Sequence, residues 1–341
     1  MSRGQWKRRL EIDDSQRWRR LAQTVFLVLN LWIGIQFLFF VWHHEGRWAP
    51  WIATRPPGVE GWLPIAGLMN TRYLVETGTI PLIHPAAMVL IVTFLILSFL
   101  FRKSFCGWLC PVGTVSEWLW KLGRDTFRRN FAAPKWLDIP LRGLKYLLLA
   151  AFLYAVLSMS VRDLAGFLES PYGLIADVKM LNFFRYLTPG AAIFLGVLVI
   201  ASIFVPNAWC RYLCPYGALM GLAALLSPAK IRREKTACID CAKCARVCPS
   251  HLPVDKLVQI RSAECIGCME CVAVCPAEGA LALTFAGPRR VLTGRRVAVG
   301  VAVIFLAAYA GARLSGHWDS PIPGDVYRTL IPAASGLDHP R

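Results

Sequence analysis

Two runs of cysteine constrain this chain more than any other feature: CIDCAKCARVCP at 238–249 and CIGCMECVAVCP at 265–276. Each reads C-x2-C-x2-C-x3-C-P. Three cysteines on one tight loop aim their thiols at a common centre, and the fourth, before proline, is spaced to reach a second centre. This is the bacterial spacing for a pair of [4Fe–4S] clusters. It predicts one cluster on Cys238, Cys241, Cys244 and Cys275, and another on Cys265, Cys268, Cys271 and Cys248. Zinc would call for well-separated C-x2-C pairs instead. Neither run ends in C-x-x-C-H, so no c-type haem is expected. The stretch GALALTF (279–285) reads as a short strand, which completes an inserted α+β ferredoxin-like 2[4Fe–4S] domain over 230–290.

The other four cysteines form two C-x3-C-P pairs, FCGWLCPVG (105–113) and WCRYLCPYG (209–217), 104 residues apart. The match runs upstream through apolar stretches, HPAAMVLIVTFLILSFL and TPGAAIFLGVLVIASIF, with Pro85 opposite Pro189. The unit is a span, an outer loop, a returning span and C-x3-C-P. It occurs over 21–120 and again over 121–226. Repeats in the same orientation are usually related by an axis along the membrane normal. Such an axis would bring Cys106, Cys110, Cys210 and Cys214 together. Four converging thiolates suit a third centre, most simply another [4Fe–4S] cluster, or another thiolate-bound metal. Two further readings stay open at this stage: packing as small apolar side chains, and exchange of copper through the thiol pairs.

Composition places these motifs in a membrane. Of the 341 residues 56% are hydrophobic, and the mean hydropathy is +0.46. Five stretches approach the length of a span: Leu21–Trp42, His84–Phe101, Gly143–Val161, Pro189–Val205 and Val297–Ala312. The expected fold is an all-α membrane bundle of about five transmembrane helices, a duplicated two-helix unit carrying the ferredoxin insert. The last helix occupies 295–313 and an outer tail 314–341. Lys and Arg alternate between the connecting segments: seven in 1–20, three in 43–83, eight in 102–142, three in 162–188 and thirteen in 206–296. The positive-inside rule then puts the basic N-terminus (1–20) and the ferredoxin domain in the cytoplasm and the C-terminus outside. A multi-pass protein of the bacterial cytoplasmic (inner) membrane is expected. All twelve cysteines fall on the reducing side, where thiolate sites persist and disulfides do not. The net charge of +17 is accounted for by inner loops, without nucleic acid.

With these motifs the chain resembles the membrane polyferredoxins, which carry two CxxxCP motifs and a cytoplasmic pair of [4Fe–4S] clusters. That family includes the membrane quinol dehydrogenase subunit of periplasmic nitrate reductase and the membrane half of the nitrous-oxide reductase regulator. It also includes an assembly protein of copper-containing terminal oxidases. The resemblance covers roughly residues 20–310, and RPPGVEGWLPI (55–65) is most similar to regulator-type members. Only about twenty residues precede the first span, which leaves no outer flavin-binding domain of the regulator's kind there.

The resemblance implies electron transfer between the quinone pool and a redox partner protein or terminal reductase, as in a quinol dehydrogenase subunit. The alternative is an accessory role, as a redox sensor or as a metal reductase or assembly factor for a respiratory metalloenzyme. Quinol oxidation releases protons, and His43, His44 and His84 stand at the outer ends of the first two spans. Histidine accepts protons near neutral pH, so these three are the quinol-site candidates. Glu60, Glu76, Asp163 and Glu169 are further outer-loop acids.

Overall fold

The structure, a computed structural model, describes residues 7–9, 13–48, 50, 54–128, 131, 133–288 and 290–339. Part of the basic N-terminal stretch therefore lies outside the described residues. The chain is mainly helical and divides into two compact units. Unit 1 comprises Met1–Leu27, Phe94–Leu149 and Gly196–Ile304; unit 2 comprises Val28–Thr93, Ala150–Leu195 and Phe305–Arg341.

Three helices are long and apolar enough to cross a membrane among the described residues: α1 (Ser15–His44), α5 (Lys135–Ser158) and α14 (Gly294–Leu314). A fourth span results if α8 (Ala176–Arg185) and α9 (Pro189–Phe204), bent by 80°, count as one. The second predicted span forms α3 (Pro85–Leu100), with 16 residues, and the fourth forms α9, also with 16. At 1.5 Å per residue such helices reach only about 24 Å, short of a hydrocarbon core of about 30 Å. Each begins at proline and soon gives way to a CxxxCP segment, which sets its length. Apolar side chains point outward along α1, where Leu21, Val25, Val28, Trp32 and Ile35 are exposed. That is the surface a helix presents to lipid rather than to water.

Unit 2 also contains α2 (Pro64–Thr77), α6 (Val161–Glu169), α7 (Pro171–Leu174) and α15 (Gly324–Leu330). Phe37, Phe40, Val41, Val59, Ile175, Val178 and Tyr327 form one apolar core within it. Asp163 is committed locally. It accepts from the Ser160 backbone and hydroxyl while Ser160 caps the start of α6, a reciprocal capping box. Glu76 pairs with Arg72 at 2.6 Å, and Glu169 is exposed.

Unit 1 holds every cysteine. After a π-helical turn at Phe105–Leu109 comes α4 (Pro111–Phe127); after α10 (Ala208–Tyr212) comes α11 (Pro215–Leu225). Strands β1 (Ala229–Arg233) and β2 (Leu281–Phe285) pair antiparallel, with Ile231 opposite Leu283. Between them lie two short helices, α12 (Lys243–Arg246) and α13 (Glu270–Ala273). This ribbon and its paired short helices make the α+β ferredoxin-like segment.

Candidate metal centres

The two ferredoxin loops are built alike. In the first, Asp240 and Ala242 have φ of 54° and 55°; in the second, Gly267 and Met269 have φ of 62° and 59°. These are the second and fourth residues after the leading cysteine in each loop. Left-handed residues there curl the backbone so that successive N–H groups face inward, a nest suited to an anion. Three of the four are not glycine, so both loops hold a conformation that side chains disfavour. Cys265, Cys268, Cys271 and Cys248 line one cavity, walled by Ile231, Val254 and Ile260. Cys275 lies within electrostatic reach of Cys238 and Cys241, and Cys244 within reach of Cys275. Cys271 also feels Cys244, so the two groups of four are neighbours.

The CxxxCP pairs meet the same end by another route. Cys110 and Cys214 are extended, with φ/ψ of −60°/119° and −75°/105°, because a following proline disfavours helix. Pro111 and Pro215 then open α4 and α11, a position where the missing N–H costs nothing. Each cysteine thus sits at a helix N-terminus, whose partial positive charge favours thiolate. The Gly217 N–H donates to Cys214 Sγ at 3.2 Å. Cys210 lies near Cys214, Cys110 and Cys106, and Cys106 near Cys214. The four thiols therefore converge, and Cys106 and Cys210 line a cavity with Lys103, Glu117, Arg211 and Glu264.

Contacts inside unit 1 fasten this nest to the second ferredoxin loop. Gly107 approaches the Ile266 carbonyl oxygen so closely that no Cβ would fit. Trp108 Nε1 donates to the Gly267 carbonyl oxygen at 3.1 Å. The Gly107 carbonyl oxygen accepts from Arg19 Nε at 2.9 Å and Gln23 Nε2 at 3.2 Å. Gln16 Nε2 donates to the Cys268 carbonyl oxygen at 2.8 Å. The first turns of α1 thus hold both loops at once.

All twelve cysteines are unpaired thiols. Among the described residues, no group of three or more His, Cys, Asp or Glu is drawn tightly enough to hold a single metal ion. Burial pushes the Cys106 and Cys248 thiols up to about 11 and Cys110 up to about 12. Burial raises Cys210, Cys268 and Cys271 as well. Such thiols are neutral near pH 7 and lose their protons when a metal binds. Sulfur donors in groups of four, on loops held by left-handed residues, fit iron–sulfur clusters.

The carboxylates around the centres each have a cation partner. Arg19 is hydrogen-bonded to Glu117, which also takes Lys121 at 2.5 Å. Lys145 donates to both oxygens of Glu264 at 2.7 Å, and Arg211 pairs with Asp138 at 2.8 Å. Burial alone would raise the Glu117 and Glu264 carboxyls, but the neighbouring cations outweigh it and hold both below the usual range. Cysteine spacing gives no hint of these residues. The available signal was Lys145, a charge inside an apolar stretch, where such a group is expected to have a partner.

In unit 2, His84 is fully buried with both ring nitrogens engaged. Nδ1 lies 3.2 Å from Glu60 Oε1 and Nε2 lies 2.8 Å from the Gly173 carbonyl oxygen. Arg55 joins the network, 2.8 Å from Glu60 and 2.8 Å from Asp177. His44 is half-buried, its ring 4.4 Å from Phe40 and 6.0 Å from Tyr327, and His43 is exposed.

Thiols grouped in this way among apolar helices define a membrane iron–sulfur protein of electron transport. A family described as "4Fe-4S binding domain" matches residues 83–130 and again 187–234, and a "4Fe-4S dicluster domain" matches 230–276. Over 331 residues the chain is 48% identical to the "Putative electron transport protein YccM" of Escherichia coli (strain K12), covering 96% of this chain and 93% of that protein. It is 27% identical to the "Ferredoxin-type protein NapH" of the same organism, over 69% of this chain and 76% of that one. It is 31% identical to the "Regulatory protein NosR" of Pseudomonas aeruginosa, over 43% of this chain and 20% of that one. The chain belongs to the membrane polyferredoxin-type family that these relatives represent. No solved structure matches it.

Proposed function

We propose that this protein passes electrons between the quinone pool and a redox partner, using three thiolate centres held by its cytoplasmic segments. The supporting observation is the continuity of the thiols in unit 1. The four CxxxCP cysteines adjoin, through Gly107 and Trp108, the loop that carries Cys265 and Cys268. Cys271 in turn lies within reach of Cys244 of the remaining group. Each [4Fe–4S] cluster, when bound, supplies a one-electron relay. Cys238, Cys241, Cys244 and Cys275 would hold the first, Cys265, Cys268, Cys271 and Cys248 the second, and Cys106, Cys110, Cys210 and Cys214 the third.

In this reading five helices cross the membrane, with α3 and α9 as the short spans of a duplicated unit. The basic segments 102–142 and 206–296 face the cytoplasm. Oxidation of one quinol to quinone releases two electrons and two protons. His43 and His44, whose rings are not enclosed as that of His84 is, would meet the headgroup and take up the protons. His84, with both nitrogens engaged, would hold charge in the buried network around Arg55 and Glu60.

The test is reduction of the clusters in membrane vesicles by added quinol, followed by electron paramagnetic resonance. The expected result is quinol-dependent signals that a quinone-site inhibitor suppresses. Clusters that respond to dithionite but never to quinol would overturn the assignment and favour an accessory role in metal insertion.

A further inference from the structure

Lys103 stands three residues before Cys106 and is only 3% exposed. A buried ammonium is costly unless a counter-charge accompanies it. Among the described residues, no carboxylate is within ion-pair distance of its Nζ. Each acid nearby already has its own cation: Glu264 has Lys145, Glu117 has Arg19 and Lys121, and Asp138 has Arg211 and Arg142. Of the two cations that line the cavity beside these thiols, Arg211 has Asp138, and Lys103 has no ion pair among the described residues. It lines the cavity shared by Cys106 and Cys210, and within its reach are the thiols of Cys106, Cys214 and Cys210 and the carboxylate of Glu264.

We propose that Lys103 is the resident counter-ion of the centre on Cys106, Cys110, Cys210 and Cys214, and that it raises that centre's reduction potential. The proposal rests on reading those four cysteines as ligands of a [4Fe–4S] cluster. Four thiolates around such a cluster leave a net negative charge, which grows by one when the cluster accepts an electron. A fixed cation in dry surroundings favours the more negative state, and net charge and exposure are what tune these potentials. Lys103 is thus a positioning residue acting by charge, and it ligates nothing itself.

The test uses the full-length protein in lipid nanodiscs, with its clusters assembled anaerobically. Iron per chain and a redox titration followed by electron paramagnetic resonance are measured for wild type, Lys103→Met, Lys103→Arg and Cys210→Ser. The signal lost in Cys210→Ser identifies the centre. Wild type should hold about twelve irons, four per cluster. In Lys103→Met that one signal should move to lower potential by at least a tenfold change in its reduced-to-oxidised ratio, about 59 mV for one electron. Lys103→Arg should stay near wild type, and the two ferredoxin signals should not move. Twelve irons with an unmoved signal in Lys103→Met overturns the counter-ion, as does an equal shift in Lys103→Arg. Loss of about four irons in Lys103→Met but not in Lys103→Arg supports a need for charge, and loss in both overturns it. About eight irons in wild type, with no signal sensitive to Cys210→Ser, removes the third cluster itself and the counter-ion with it.

Discussion

Trp108 Nε1 donates a hydrogen bond of 3.1 Å to the carbonyl oxygen of Gly267, joining the first CxxxCP loop to the second ferredoxin loop. Trp108 is fully buried, and the preceding Gly107 lies against Ile266 with no room for a Cβ. Two loops 159 residues apart in the chain are thereby held backbone to backbone.

That junction can be probed at either residue. Trp108→Phe keeps most of the ring but loses the donor, and should cost about 1 kcal/mol. Gly107→Ala forces the loops apart and should cost about 1–3 kcal/mol, as overpacking does. Thermal unfolding in detergent should rank the two in that order. Equal midpoints for wild type and Gly107→Ala would show that the loops yield freely.

The ligand sets predict separable losses. Cys248→Ser should remove the signal of the cluster on Cys265, Cys268 and Cys271 and leave its neighbour. Cys275→Ser should do the reverse. Each should lower the iron content by about four per chain. A pattern in which Cys248→Ser abolishes the cluster carried by Cys238, Cys241 and Cys244 would reverse the assignment.

Arg19 and Glu117 form a buried pair, 1% and 7% exposed, that also braces Gly107. Glu117→Gln leaves Arg19 with Glu270 at 3.6 Å as its remaining acid. Removing one member of a buried pair costs about 3–5 kcal/mol, and Glu270 should bring the loss to the lower end. Chemical denaturation of the assembled protein is the measurement. A loss under about 0.5 kcal/mol would mean the pair behaves as a surface one.

The network in unit 2 predicts a pH window. Burial would raise Glu60, but Arg55 and His84 outweigh it and hold the carboxyl low. Its contribution is present above the unfolded value of about 4.3 and is lost as pH falls through the lower folded one. For His84, burial opposes charging, yet the hydrogen bond and charge of Glu60, with Asp177, raise the imidazole. That contribution is complete below about 6.5 and is lost as pH rises through the raised folded value. Thermal unfolding against pH should therefore show a plateau between these limits. His84→Gln should flatten the alkaline limb and Glu60→Gln the acid limb. Variants with wild-type profiles would exclude the network as the source of the window.

The sequence by itself determined the chemistry of the donors. Cysteine spacing is local, and a C-x2-C-x2-C loop admits few backbone paths, so the loops and the iron–sulfur class were legible before any fold. Hydropathy likewise marked the apolar helices, because lipid imposes its demand residue by residue. The length of α3 and α9 was less legible, since proline and the CxxxCP turns end them short of a full span. Tertiary structure alone decided the rest. Convergence of Cys106 and Cys110 with Cys210 and Cys214 depends on packing between segments a hundred residues apart. His84 appeared from the sequence as a rim residue, and the fold buries it and occupies both its nitrogens. Lys103 read as one more basic loop residue. It stands out only when every neighbouring carboxylate is found already paired, because burial makes an unpaired charge costly and the sequence does not record burial.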